Sequence, residues 1–169
     1  VPAGSRSGIQ EYLDLGYVAA DRDSGSVSKT QEYNWADFAI ANLGEALGHT
    51  SEAQALRLSS RSSTALWDDA VGFFRGRNAD GAWDPSFNDE HWEDYYVEGN
   101  AHQHLWLTPY PDVLAEVMGG RAGALERLAT FFEQSQEFWD CCDLRLWAPG
   151  PFYWHGNEPD LHAAYDFAL

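Results

Sequence analysis

Basic residues are scarce in this sequence. Ten Lys and Arg stand against 27 Asp and Glu, a net charge of -17. A surface of that sign repels nucleic acid and anionic membranes, so neither is expected as a partner. Cysteine is nearly absent: Cys141 and Cys142 are neighbours and close no long loop, which excludes the disulfide framework of small secreted domains and leaves the compartment open. No apolar run approaches the roughly 20 residues of a membrane span, and no basic segment followed by an apolar run opens the chain. Alternating apolar runs are also missing, which argues against a sheet. The chain starts at Val1 without Met and stops at Leu169 inside a helical pattern, so both ends are expected to be cuts in a longer protein.

What is present is carboxylate and aromatic surface. Aromatic residues make up 15% of the chain, with eight Trp and eight Tyr, many of them in loop-like stretches. Any one ring is most simply a core filler, but clustered rings serve as stacking platforms for sugars. The surplus of carboxylates suits a neutral ligand such as a sugar, or a hard cation that takes oxygen ligands.

The periodicity is helical. After a turn-rich opening with a short apolar patch at Ile9, Tyr12, Leu13 and Leu15, Ser28 and Gln31 have capping-box spacing, and Tyr33, Phe38, Ile40, Ala41, Leu43 and Leu47 recur helically up to Gly48. Ser51 and Gln54 repeat the signal for a second helix running to Trp67, and Gly48-His49-Thr50 makes the two an antiparallel hairpin. Residues 70–97 read as a long structured loop of the functional kind. A third helix is predicted from Asn100 to Leu107, resuming from Asp112 to Met118 before Gly119-Gly120, and a fourth through Ala124, Leu125, Leu128, Phe131 and Phe132 to about Gln136. A Trp- and Pro-rich stretch at 139–156 precedes a last helix near Pro159. The class is all-α: helical hairpins with long loops, as in part of an α/α toroid.

Two clusters carry chemistry. Tyr95-Tyr96-Val97-Glu98-Gly99-Asn100 sets a carboxylate at the junction of the long loop and a helix, with Gln103 and Trp106 on the next turn. Glu98 among Tyr, Val and Trp is expected to be partly desolvated and so held protonated, as a general acid must be; the plainer alternative is a glutamate favourably placed at a helix N-terminus. The second cluster is Trp154-His155-Gly156-Asn157-Glu158-Pro159-Asp160, followed by His162 and Tyr165. Side-by-side amide and carboxylate oxygens suit calcium. His155, His162 and Glu158 also suggest zinc, but their spacing matches no zinc motif, and an Asn-Glu-Pro turn capping a surface helix is a purely structural reading.

The order of motifs goes further. Ser28-Lys29-Thr30-Gln31-Glu32-Tyr33 with Trp35 to Ala41, Gly72 to Arg77 with Asp80-Gly81-Ala82-Trp83, Tyr96 to Ala101, Met118-Gly119-Gly120, and Gly156 to Asp160 together resemble glycoside hydrolase family 92 over nearly the whole chain. The resemblance implies a single piece, residues 1–169, of an (α/α)6-type catalytic domain, with a preceding β-sandwich domain and following helices outside it. It also implies an inverting, calcium-dependent exo-α-mannosidase acting on mannose-containing glycans, in a secreted or periplasmic parent. Carried over residue by residue, Glu98 is the general acid, Asn157 and Glu158 lie at the calcium, and Asn100, Gln103, His155 and His162 are candidates for contacting sugar. The family's base aspartates lie beyond the Gly-Asn-Glu-Pro motif, so residues 1–169 alone are expected to be inactive. A non-catalytic carbohydrate-binding or scaffold module of the same fold is the alternative. The sequence departs from the family at His102 and His104, at Pro109-Tyr110-Pro111-Asp112, and in the insert from Cys141 to Pro151.

Overall fold

The computed structural model describes residues 6–141 and 150–168, so most of the insert from Cys141 to Pro151 lies outside the described residues. Helix α1 spans Ile9–Leu15 and ends at Gly16, whose φ of 83° is the left-handed C-terminal stop. Helix α2, Ser26–Leu47, and helix α3, Thr50–Ser59, form the hairpin that the apolar spacing predicts. Gly44 lets them close up, since a Cβ there would lie 3.3 Å from that of Ala53.

Three elements differ from expectation. Ser28 is no cap, because α2 starts earlier, after Gly25. Its first amides are satisfied by distant carbonyls: Gly25 N–H donates to Asp94 O at 2.6 Å and Val27 N–H to Tyr95 O at 3.0 Å. The second helix stops at Ser59 rather than Trp67 because Asn34 of α2 captures the chain. Its Nδ2 donates to Ser59 O and its Oδ1 accepts from Ser63 N–H, both at 2.9 Å, groups that a continuing helix would have used. A 3-10 turn, Ser62–Leu66, then enters strand β1, Trp67–Asp68, which pairs antiparallel with β2, Phe73–Phe74, in the register Trp67 to Phe74 and Asp68 to Phe73. Such two-residue strands leave no alternation to read. Finally, the segment after Pro159 forms 3-10 turns, Glu158–Asp160 and Ala163–Ala168, instead of an α-helix.

Helix α4 is the single turn Ala101–His104, capped by the Asn100 side chain, which accepts from His102 N–H and Gln103 N–H. Helix α5, Pro111–Val117, begins on its proline, and α6 covers Arg121–Cys141. The core gathers Val27 from α2, Leu66, Phe73 and Phe74 from the strand pair, Tyr95 and Tyr96 from the long loop, Trp106, and Leu128 and Phe131 from α6. Among the described residues the class is all-α apart from that strand pair and an isolated bridge between Arg77 and Trp83. A polar cluster locks α1 onto the hairpin: Asp37 accepts from Tyr12 Oη at 2.8 Å and from Ser59 Oγ at 2.6 Å, and it pairs with Arg6 at 3.0 Å. Burial and that carboxylate raise the Tyr12 phenol to about 12.

Candidate functional site

The segment ahead of Glu98 is clamped from both sides. Val97 N–H donates to Ser28 Oγ at 2.8 Å, and the same oxygen lies 3.1 Å from His104 Nε2. Gln31 Nε2 donates to His104 O at 2.8 Å, and the His104 ring stacks on Tyr96 at 4.7 Å. Burial drives the His104 imidazole down to about 4, with only partial relief from the Glu98 backbone, so at neutral pH it is an uncharged strut. Ser28 and Gln31 therefore serve the site rather than the helix end.

One correction concerns Glu98 itself. The rings expected to desolvate it point elsewhere: Tyr95, Tyr96 and Trp106 are buried in the core, while Glu98 is exposed. It lines a cavity of about 170 Å³ together with Lys29, Glu32, Tyr33 and Glu158. Glu32 had no role in the sequence reading. It lies one helical turn after Ser28, on the same face of α2, and that spacing was a usable signal. Its carboxyl is raised above its ordinary range, first by desolvation and then by the charges of Glu158 and Glu98. Lys29 does not neutralise it, because its Nζ donates to Asp23 Oδ1 and Ser24 O, each at 2.6 Å.

The two chemical motifs meet at Gly99. This residue has φ 74°, and a Cβ on it would lie 1.9 Å from Gln103 Oε1 and 2.7 Å from Asn157 Nδ2, so only glycine fits. Gln103 Nε2 donates to Phe152 O at 2.9 Å and Gly150 O at 3.3 Å, while its Oε1 accepts from Asn157 Nδ2 at 3.1 Å. The two carbonyls fix which way the Gln103 amide faces, and that in turn fixes Asn157. Asn157 Oδ1 is left buried with no protein partner, an uncompensated cost unless a ligand meets it.

The other candidates fall around this crossing. Asn100 caps α4 and donates to Glu90 O at 3.2 Å. His162 stacks on Trp35 at 4.6 Å, and His155 Nδ1 lies 2.7 Å from Tyr153 Oη. The two imidazoles thus have separate partners, and among the described residues no group of three or more His, Cys, Asp or Glu is arranged to hold a metal. Asp160, which the sequence reading named without a role, fixes the turn: its Oδ2 accepts from Trp154 N–H at 2.9 Å. Burial raises this carboxyl to about 8, against that hydrogen bond, and its Oδ1 has no partner.

Residues 2–169 match the family model described as the glycosyl hydrolase family 92 catalytic domain. Among solved structures, the chain is similar to the family GH92 inverting mannosidase BT2199 from Bacteroides thetaiotaomicron, with 26% identity and a TM-score of 0.82 over 96% of this chain and 23% of that one. It is also similar to the family GH92 α-mannosidase BT3965 from the same organism in complex with mannoimidazole, with 26% identity and a TM-score of 0.79 over 98% and 23%. A third similar structure is the gh92 family glycosyl hydrolase ccman5, with 25% identity and a TM-score of 0.70 over 93% and 20%. The chain thus spans about a quarter of the length of these relatives. No curated protein matches it.

Proposed function

The chain belongs to glycosyl hydrolase family 92, and we propose that it carries the proton donor and part of the ligand-binding wall of an inverting exo-α-mannosidase. The observation that supports this most is the crossing at Gly99. It brings a loop ending in Glu98 and a turn bearing Glu158 to one cavity, and the residue before Glu158, Asn157, keeps a buried amide oxygen without a partner.

In this reading the glycosidic oxygen of a terminal mannoside sits within reach of Glu98. The carboxylic acid gives its proton to that oxygen and the bond from the anomeric carbon to it breaks. Water adds to the opposite face of the sugar and loses its proton to a second carboxylate. That base is proposed to be an aspartate beyond Leu169. The Ser28 and His104 clamp on Val97 holds the donor in place, which matters because a small misalignment of a reacting group is costly in rate.

Calcium fits the residues present. The Asn157 amide oxygen and the Glu158 carboxylate are hard donors, and the amide oxygen lacks any other partner. Bound there, the ion would gather sugar hydroxyls and help distort the ring. A zinc site is less suited, since among the described residues no three His, Cys, Asp or Glu side chains converge.

The test is made in the full-length protein that contains this chain. Glu98→Gln is expected to lower turnover of an α-mannoside by about 10²–10⁴-fold, the scale of general-acid catalysis; an unaltered rate rejects the donor. A chelator is expected to abolish activity and calcium to restore it, and restoration by zinc alone overturns the metal assignment. If no aspartate follows within the same domain, the carbohydrate-binding module replaces the hydrolase.

A further inference from the structure

A second cavity, of about 160 Å³, lies between the α4 segment and α6, with His102, Leu105 and Trp106 on one side and Arg127, Phe131 and Gln134 on the other. It shares no lining residue with the cavity of Glu98 and Glu158. Spacings of four and three residues put Arg127, Phe131 and Gln134 on one face of α6. The other partly buried cations of the described chain are engaged: Arg6, Lys29, Arg57 and Arg75 by carboxylates, and Arg77 by carbonyl oxygens. Among the described residues Arg127 has neither, although the chain offers 27 acidic side chains against 10 basic ones. Its guanidinium lies instead over the Phe73 ring at 4.3 Å and the Trp67 ring at 5.9 Å. Stacking of that kind covers the faces of the planar group and leaves its N–H donors pointing outwards in the plane. The nearby carboxylate of Asp89 is taken up by His102, whose Nε2 lies 3.3 Å from it. Burial lowers the Arg127 guanidinium below its ordinary range, and the charge of Asp89 offsets only part of that. A desolvated cation without a bonded counter-charge is a standing cost to the fold. Two neutral donors border the same space. Trp106 is 2% exposed and its Nε1–H is buried without an acceptor, and the Gln134 amide, two turns along α6 from Arg127, makes no hydrogen bond among the described residues.

We infer that this cavity is a binding site for an oxyanion group, with Arg127 as the counter-charge and the Gln134 amide and Trp106 N–H as the neutral donors at its border. The guanidinium offers a flat fork that matches two oxygens of a sulfate, phosphate or carboxylate. Elsewhere a net charge of -17 opposes anions, so uptake is local to this one side chain. The inference is independent of the mannosidase reading. Two sources supply the same chemistry: a free inorganic anion, or an acidic substituent carried by a glycan.

The test uses the full-length protein at constant ionic strength, with sulfate exchanged for chloride as the probe. Wild type should bind sulfate saturably by calorimetry. Arg127→Met should weaken that binding by about tenfold or more, the scale of one charge-assisted pair. Arg127→Lys, which keeps the charge and loses the fork, should fall between them. Sulfate excluded from the surface stabilises every variant alike, so the readout in melting temperature is the difference between proteins. In chloride Arg127→Met should melt no lower than wild type, because it removes an uncompensated charge, and in sulfate wild type should move ahead. Equal sulfate responses in all three proteins overturn the site. So does a deficit of Arg127→Met that is the same in both salts, which would make Arg127 a stacking prop for Phe73. If the Met variant does not fold, failure of wild type to bind sulfate saturably overturns the site by itself. Glucose 6-sulfate competing at lower concentration than sulfate, with glucose inert, assigns the site to an acidic glycan, and competition no better than that of sulfate assigns it to the free anion.

Discussion

At the scale of single residues, the site depends on groups whose neighbours leave them no latitude. Gly99→Ala would force a Cβ to within 1.9 Å of Gln103 Oε1 at a φ of 74°. Its folded state should lose more than ~1 kcal/mol, the conformational part alone, with a lower denaturant midpoint and loss of turnover; an unchanged midpoint would mean the crossing is looser than drawn. Asp160 has a distinct signature. Its folded carboxyl lies at about 8 against an ordinary 3.8, so the protonated form is the one the fold favours. The stability it contributes is complete below about 3.8 and is lost as pH rises through about 8. Asp160→Asn keeps an acceptor for Trp154 N–H and removes the titration. The melting temperature of the wild type should therefore fall relative to that of the variant between pH 5 and pH 9, and parallel curves would refute the burial argument. The sequence disclosed which motifs matter more readily than what each residue does. Glu98 and Glu158 were legible as carboxylates in motifs, but the desolvation assigned to Glu98 failed because Tyr95 and Tyr96 are buried in the core while Val97 and Glu98 face out. Glu32 was missed because a lone glutamate on a helix face is ordinarily a solvated charge.

Among elements, the hairpin of α2 and α3 was legible because its apolar spacing spans many turns, whereas its ends were not. Capping-box spacing at Ser28 and Ser51 was misleading. The Ser28 hydroxyl is used by Val97, and that of Ser51 bonds to Glu52 Oε2 at 2.8 Å. Helix ends are settled by long-range partners such as Asn34 and the carbonyls of Asp94 and Tyr95, which local sequence does not display. The strand pair was invisible because strands of two residues show no alternation. Two predictions belong at this scale. Asp37→Ala strips the common partner from Tyr12, Ser59 and Arg6, and should cost about 1–3 kcal/mol by denaturation, the scale of a lost buried hydrogen-bond acceptor. Ser28→Ala leaves the Val97 amide without its acceptor and should cost about 1–3 kcal/mol. Its effect on turnover should exceed its effect on stability, because the loop ahead of Glu98 loosens before the helix does; equal effects would make Ser28 an ordinary core hydroxyl.

For the molecule as a whole, the family followed from the order of motifs and the helical class from the periodicity; the family match over residues 2–169 bears out the first and the observed helices the second. The completeness of the site did not follow, since the chain spans 23% of the BT2199 structure. One face shows the consequence. Ile40, Leu43 and Leu47 form a helical stripe on α2 at 48%, 60% and 66% exposure, and Leu58 of α3 is 77% exposed. Exposed apolar side chains in such number invite association. Residues 1–169 expressed alone should sediment as a concentration-dependent mixture of species, and a single monomeric boundary at all concentrations would contradict this.

The amide bridge between Gln103 and Asn157 joins residues 54 positions apart, which has a consequence for vectorial synthesis. A nascent chain that has emerged only through α6 already holds Ser28, Val97 and His104, yet Gln103 still lacks the carbonyls of Gly150 and Phe152 and the Asn157 amide. The loop carrying Glu98 is thus half-anchored until the ribosome has released the turn at 154–160, and a stalled or clipped polypeptide ending before it would hold Glu98 on one side only.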